Sequence, residues 1–578
     1  MNTAVRETEA QPIWVSEYEE ALNTLDAAKD RWAQTDVDER IALLAQVKDG
    51  VQQVAQGWAE TAARKKQIPD GSPLVGEEWI SGPYALMSAC NGLMQTLSQM
   101  QDKSFVDHLH TRQLVTGQTA VQVVPHSLWD RLLLSGVRAE VWMQQGVNRD
   151  NLKDHAAVAY DTPAKQRRGK VALVLGAGNI AAIAPLDVFQ KLFLENQVAI
   201  LKMNPVNDYL TDYLKIAMKP LIDRGFVRIV KGDGAAGAWL TNHPVIEEMH
   251  ITGSGATHDL IVWGPGAEGA ANKASGTPKN TRRITSELGA VCPTIVVPGP
   301  WSRADLSFQA QNVATQKLHN SGFNCVACQV LIMPAGWDKG PDFMAEVTRV
   351  LRGSKRLAYY PGAQDRLSRF RDHAGSVTEI DRGSAPACVI NDVAGGDYFR
   401  ENEVFAPALS THEVEARDAE AYLVNAVDWA NSQLHGTLGA NVLIHPKTIR
   451  QIGTKRFEEI LAALQYGTIA INGWSGLGFL LTACPWGAYP GHTLDDVGSG
   501  IGTVHNTFML ENTERTVVQA PWRPFPRGLL SLQLTLLPRP PWFITNRKQD
   551  KLGKLLTAFQ HKPGWLKLPR IFLNALLG

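Results

Sequence analysis

A chain of 578 residues with 57 basic and 57 acidic side chains has no net charge, which excludes a global field drawing it to nucleic acid. Its 44% apolar and 20% charged content exclude a disordered polymer. At roughly 150 residues per domain the length accommodates three or four units.

Six cysteines are sparse for this length, and the close pair Cys325-Val326-Ala327-Cys328 is a lone CxxC, weak grounds for a metal. The cysteine usage predicts free thiols in a reducing compartment. The stretch Met1 to Glu20 carries Glu7, Glu9, Glu17, Glu19 and Glu20 and lacks the apolar centre of a secretory signal. No run of 18 apolar residues occurs, so no transmembrane helix is expected and the cytoplasm is the predicted location.

In chain order, residues 15 to 160 read as mostly helical, through Ala/Leu/Gln/Glu-rich segments such as Glu17 to Trp32 and Val37 to Ala63. Breakers cluster at Pro69-Asp70-Gly71-Ser72-Pro73. From Arg168 the texture alternates. Strands are predicted at Val171 to Leu175, Val198 to Lys202, Val227 to Val230 and Glu247 to Ile251. Helices are predicted at Asp187 to Glu195 and Asp208 to Arg224. That rhythm implies a doubly wound parallel sheet. A second unit begins near Glu287 and repeats the pattern through Val330-Leu331-Ile332 and Val442-Leu443-Ile444. The predicted class is therefore α/β, with two doubly wound parallel-sheet domains and a helical N-terminal region. The expected divisions are 1–286 for the helical region plus a dinucleotide-binding domain, 287–510 for a catalytic domain, and 511–578 for a basic Pro/Trp/Leu-rich extension.

Three local patterns carry chemistry. Asn320-Ser321-Gly322-Phe323-Asn324-Cys325 offers a cysteine in an amide-rich turn, where backbone amides lower a thiol pKa. Thr285-Ser286-Glu287-Leu288-Gly289 places a carboxylate just before the apolar strand Thr294 to Val297. A thiol nucleophile and a carboxylate base are the minimum for covalent catalysis followed by hydrolysis. Third, the strand Val171 to Leu175 runs into Gly176-Ala177-Gly178-Asn179-Ile180-Ala181, a GxGxxA spacing. It reads either as a dinucleotide fingerprint or as a tight turn. The acid expected about 20 residues on is absent, and Lys202 stands there instead.

Seven short stretches together resemble the aldehyde dehydrogenase superfamily, in that family's order, from about Lys170 to about Phe508. Gly178-Asn179, 23 residues before Lys202, stands where the family has Pro-Trp-Asn. Asn196 to Lys202 resembles its Gly-Asn-Val-Val-Val-x-Lys strand, and Ile251-Thr252-Gly253-Ser254 its Phe-Thr-Gly-Ser. Glu287-Leu288-Gly289, Asn320-x-Gly322-x-x-Cys325-x-Ala327, Glu403-Val404-Phe405-Ala406-Pro407 and Pro485-Trp486-Gly487 complete the set. The resemblance implies an aldehyde-dehydrogenase-like fold and NAD(P)-dependent oxidation of an aldehyde to a carboxylic acid. Cys325 would be the nucleophile, Glu287 the base that activates water, and Asn179 an oxyanion donor rather than a phosphate contact. Lys202 would contact the adenosine ribose of NAD or NADP, Gly253 and Ser254 the phosphate-facing turn, Glu403 the nicotinamide ribose, and Phe405 would pack near the nicotinamide ring. A homodimer or homotetramer is expected.

Departures from the family pattern carry information too. Pro205 replaces the glutamate that often binds the ribose 2′-hydroxyl, which leaves NADP as plausible as NAD. Phe323 replaces the usual glutamine, and Ala177-Gly178 replaces Pro-Trp, opening space beside the site. The stretch from Ser254 to Glu287 suggests an inserted loop, and Cys328 near Cys325 reads as a packed helix cysteine in preference to a regulatory disulfide or persulfide. Trp474 to Cys484 reads equally as a substrate entrance or a core strand. From Ala520 onward ten Lys/Arg stand against one acid, Asp550. This tail is expected to pack on its own subunit or a neighbour, with peripheral contact to an anionic membrane as a sharper second reading. The alternatives to aldehyde oxidation are a CoA-linked acylating dehydrogenase or reductase, and a catalytically silent binding or scaffold protein.

Overall fold

The computed structural model describes residues 13–578 except 384, 393–395, 532 and 534, so Glu7 and Glu9 lie outside the described residues. Two long helices, Ile13–Gln34 and Val37–Lys65, open the chain. Asp36 caps the second by accepting a hydrogen bond from the Glu39 amide at 2.8 Å. Asp38 and Glu39 occupy its first turn and Arg64 and Lys65 its last, complementing the helix dipole. Its buried stripe, Leu43, Leu44, Val47, Val51, Val54 and Trp58, recurs at helical spacing and packs on helix Ala85–Ser98.

The expected helical reading fails after residue 109. Strands His110–Gln113, Thr119–Val124 and Arg138–Met143 form an antiparallel meander there. The local reason is β-branched content and alternation: Ala139, Val141 and Met143 point inward together, as do Val121 and Val123.

Six strands form the first sheet, in the order Gly500–Ile501, Arg283–Leu288, Glu248–Gly253, Val171–Leu175, Val198–Lys202, Val227–Val230. All but the Gly500–Ile501 edge pair in parallel. The strand order reverses at Val171–Leu175, and in such sheets ligands bind in the crevice at the carboxyl ends of the strands beside that point. Gly176 and Ser254 leave the sheet there.

The second sheet has eleven strands. A parallel centre runs Thr513–Gln519, Thr468–Ile471, Gly439–Leu443, Pro293–Val296, Val330–Pro334, Ala408–Val414, Ala385–Asp392, with antiparallel strands at both ends. Each sheet draws strands from both sides of an expected division. Glu287 lies in the first sheet, Gly500–Ile501 returns to it, and Thr513–Gln519 sits inside the second sheet beside the N-terminal meander.

The stretch after Ser254 is not a loop but two helices, Gly255–Trp263 and Gly266–Ser275. Residues beyond 520 lie on the chain's own body. Trp522 is buried against Trp301 and His445, with ring centroids 4.7 and 5.4 Å away. Arg523 forms a bidentate pair with Asp305, both contacts at 2.7 Å. Helix Gln549–His561 lies against Val75–Trp79, and its Phe559 meets Trp129 edge-on. Among the described residues, no helix is long and apolar enough to cross a membrane.

Candidate active site

A cleft of about 850 Å³ opens at the crevice of the first sheet and ends against the second. All eight residues singled out in the sequence line it. Cys325, Glu287, Asn179, Glu403 and Phe405 form one end, and Lys202, Gly253 and Ser254 the other.

Helix Arg303–Leu318 leads into the nucleophile turn. It begins with a capping box between Ser302 and Asp305 and is followed by Asn320 and Ser321 in left-handed conformations, φ 50° and 59°. Such conformations cost energy and persist only when held from outside. The Asn320 side-chain amide donates to the Asn179 and Phe323 carbonyls at 3.1 and 3.0 Å. The Asn320 backbone N–H donates to Glu77 at 3.0 Å. Glu77 is itself paired with Arg356 at 2.6 Å in a fully buried cluster that includes Glu78 and Lys66. Removing one member of such a cluster strands a buried charge, so the N-terminal helices lock the turn.

Trp474 donates from its indole to the Val326 carbonyl at 2.9 Å. The segment after it is the short helix Gly476–Leu480, not a strand. Cys328 is buried just before strand Val330–Pro334, so it is a core cysteine outside any helix.

The thiol of Cys325 is partly open to the cleft. Burial holds it well above the ordinary thiol range, and the charges of Glu287 and Glu403 push the same way. The expected lowering by turn amides is therefore reversed: dehydration and two neighbouring acids outweigh them. Glu287, in strand Arg283–Leu288, is pushed up to about 7 by burial and by the charge of Asp187, while hydrogen bonds from Cys325 and Trp486 pull it down. Glu403 is pushed up to about 8, first by burial and then by Glu287. Gly289 permits this crowding, since a Cβ there would sit 1.8 Å from Glu403 Oε2.

Asn179 donates one side-chain N–H to the Phe323 carbonyl at 3.1 Å, which fixes the amide beside the thiol and leaves its second N–H uncommitted. Among the described residues, no hydrogen bond uses the backbone N–H of Cys325.

The space expected at Ala177-Gly178 is taken. A Cβ on Gly178 would lie 2.6 Å from the Tyr360 hydroxyl. Tyr360, Phe323 and Phe405 surround Arg366, whose guanidinium carbon is 5.7 to 5.9 Å from each ring. Arg366 also donates to the Phe405 carbonyl at 3.0 Å, holding that residue at φ 41°. Tyr360, Arg366, the role of Asp187 and the Glu77–Arg356 pair were not apparent from sequence, because each is defined by a partner distant in the chain.

The far end of the cleft is built from two helix N-termini. Ser254 caps Gly255–Trp263, accepting from the Thr257 amide at 3.2 Å. Asp233 caps Gly234–Asn242, accepting from Ala235 and Ala236 at 3.0 and 3.1 Å. Lys202 is buried at the end of its strand beside Gly237. Burial lowers its pKa, while Asp233 pulls it back up. Exposed helix N-termini beside a lysine suit the phosphates and ribose of a dinucleotide. The orphaned buried Oε1 of Glu403 suits a hydroxyl donor at the other end.

Residues 197–354 match the family model described as the aldehyde dehydrogenase family. Geranial dehydrogenase of Castellaniella defragrans is 24% identical over 269 residues, which cover 43% of this chain and 50% of that protein. The chain thus spans about half the length of that curated relative. Among solved structures, an aldehyde dehydrogenase of Mycobacterium tuberculosis complexed with NAD+ superposes with a TM-score of 0.58 at 16% identity, covering 87% of this chain and 89% of that one. An NADP-dependent glyceraldehyde-3-phosphate dehydrogenase of Bacillus halodurans complexed with NADP gives 0.56 at 17% identity, covering 87% and 91%.

Proposed function

From a chain that is a divergent member of the aldehyde dehydrogenase superfamily, we infer NAD(P)-dependent oxidation of an aldehyde to a carboxylic acid through a Cys325 thioester. The observation that carries this reading is the convergence of Cys325, Glu287 and Asn179 at one end of a cleft whose other end presents Lys202 and two helix N-termini.

The chemistry follows from the electrostatics. The resting thiol is protonated, so attack on an aldehyde carbon begins when Glu287 takes the thiol proton. With a pKa of about 7, Glu287 is poised for that transfer near neutrality. The carbonyl oxygen becomes an oxyanion, held by the free N–H of Asn179 and the backbone N–H of Cys325, each donor worth on the order of 3 kcal/mol. Lys202, Ser254 and Glu403 would hold a nicotinamide dinucleotide, which would supply the hydride acceptor needed to take the aldehyde to the oxidation level of a thioester. Once Glu287 has released the thiol proton to solvent in the cleft, it takes a proton from water, hydroxide adds to the acyl carbon, and the C–S bond breaks to give the carboxylic acid and a Cys325 thiolate, which recovers the Glu287 proton.

The rival acceptor for the acyl group is CoA. A buried base bonded to the thiol favours water. The decisive assay follows NADH and NADPH formation across aldehydes of increasing chain length, with and without CoA. Turnover independent of CoA is expected, and strict CoA dependence would refute hydrolysis. In Glu287→Gln both acylation and hydrolysis lose their base, so the first turnover should slow and the acyl adduct, once formed, should persist on Cys325 by intact mass, with steady turnover down by about a hundredfold or more.

A further inference from the structure

The basic C-terminal stretch folds into a unit whose outer surface plays no part in the chemistry above. Leu568, Ile571 and Ala575 bury one face of helix Leu568–Leu576 against helices Gln549–His561 and Leu128–Leu133 and against Leu537. A surface helix with one face buried ordinarily turns polar and charged residues outward. This one does not. Pro569, Arg570, Leu573, Leu576 and Leu577 recur at helical spacing on the opposite side, and all are exposed, the three leucines by more than half. Leu566, in the turn before the helix, is 94% exposed. Trp565 beside it is 61% exposed while its ring leans on Trp129 at 4.8 Å.

A second apolar element stands next to the first. The loop 525–537 is closed at its base, where the Phe525 amide donates to the Leu537 carbonyl at 3.1 Å. Its outer part carries Leu529 and Leu530, both exposed, the latter by 75%. Leu537 reaches the seam under helix Leu568–Leu576, and Arg539, two residues on, donates to the Gly578 carbonyl at 2.6 Å. The loop and the end of the helix are thereby fastened side by side.

Charge decides what such a surface meets. No acid occurs between Lys551 and Gly578, a stretch that holds Lys551, Lys554, Lys562, Lys567 and Arg570. Arg570 lies on the apolar face itself, and Lys562 is exposed just before Trp565. Asp49 and Asp130, on helices packed against the unit, are engaged elsewhere: Asp49 pairs with His561 at 2.7 Å, and Asp130 closes the capping box of its own helix. A second copy of the chain would bring the same cations against these across a twofold contact, and like charges repel. Anionic headgroups complement them, and the headgroup boundary of a bilayer takes up leucine and tryptophan side chains.

We propose that this unit is a peripheral docking surface for an anionic bilayer. Leu566, Leu573, Leu576 and Leu577, with Leu529 and Leu530 of the loop, enter the headgroup boundary, and Lys562 and Arg570 meet lipid phosphates. The helix lies in the plane of the surface and does not cross it. None of these residues lines the catalytic cleft, so the contact is independent of the reaction the cleft performs.

Flotation of the full chain with extruded vesicles tests this, one set of phosphatidylcholine alone and one with about 30 mol% phosphatidylserine. Co-flotation with the anionic set is expected at about 0.1 M salt, with little on the neutral set and release toward about 0.5 M. The triple variant Leu530→Gln, Leu573→Gln, Leu576→Gln should bind at least about tenfold more weakly. Lys562→Gln with Arg570→Gln should weaken binding about fivefold for each cation removed. All five positions are at the surface, so both variants should keep the wild-type thermal midpoint. Absence of wild-type flotation, equal flotation on both vesicle sets, or variants that stay within about twofold of wild type would each overturn the proposal. Sedimentation velocity on the same proteins exposes the other occupant. If the leucine variant dissociates an oligomer that wild type forms, and neither floats, the patch joins copies of the chain and the membrane surface falls.

Discussion

The two ends of the cleft solve opposite problems. At the catalytic end a thiol and two acids are dehydrated together, and burial raises each of them: Glu287 to about 7, Glu403 to about 8, and Cys325 well above the thiol range. At the other end Gly253 and Ser254 are exposed, two helices present their N-terminal amides, and Lys202 is buried beside them. The first end stores its protons and waits for a partner to move them, which is what acid–base chemistry at neutral pH needs. The second is an electrostatic cradle that needs no proton transfer. Reaction and cofactor recognition are therefore separable in this molecule, and each end should respond to substitution in its own kinetic constant.

Cys325→Ala is the sharpest way to break the comparison. Turnover should fall by at least about 10⁴-fold, because no other group at the catalytic end can form the acyl bond. Nucleotide affinity, measured by titration calorimetry, should stay within about twofold. A variant that lost both together would show that the two ends are one unit.

A pH profile tests the same separation without mutation. Glu287 accepts a proton only in its carboxylate form, and its raised pKa means that form dominates above about 7 rather than above the ordinary carboxylate value. The turnover number should therefore drop about tenfold per unit as pH falls below roughly 7 and level off above it. Cys325, Asp187 and Glu403 face the same carboxyl, so the break belongs to the coupled set. An acid limb centred near 4.5 would mean that Glu287 is hydrated in the working enzyme.

What the sequence disclosed divides along similar lines. Val227–Val230 and Val171–Leu175 were readable because a short apolar run between breakers carries its own signal. Cys325, Glu287 and Asn179 were readable because each sits in a local pattern. The meander from 110 to 143 was missed because what joins it to the sheet is the pairing of Arg138–Met143 with Thr513–Gln519, almost 400 residues away. Asp187 looked like one acid in an apolar helix; only the register of two strands beneath it puts Thr252 and His250 in reach. The thiol pKa was expected in the wrong direction because local amides are visible in sequence and burial is not.

The smallest expected effect lies at the cradle. Lys202 is buried, and nothing but Asp233 offsets the cost of keeping it charged there. A bound nucleotide ribose or phosphate would supply the missing partner, so Lys202→Ala should raise the nucleotide KM by about tenfold, roughly 1.4 kcal/mol, with the turnover number nearly unchanged. Because Asp233 stands beside it, the loss should be larger for NADP than for NAD: removing Lys202 leaves the acid without the cation that offsets it toward a 2′-phosphate. Parallel KM measurements with both nucleotides check this. Equal losses would place the 2′ position away from Asp233, and a fall in turnover number instead of KM would mean that Lys202 sets the geometry of the reacting end.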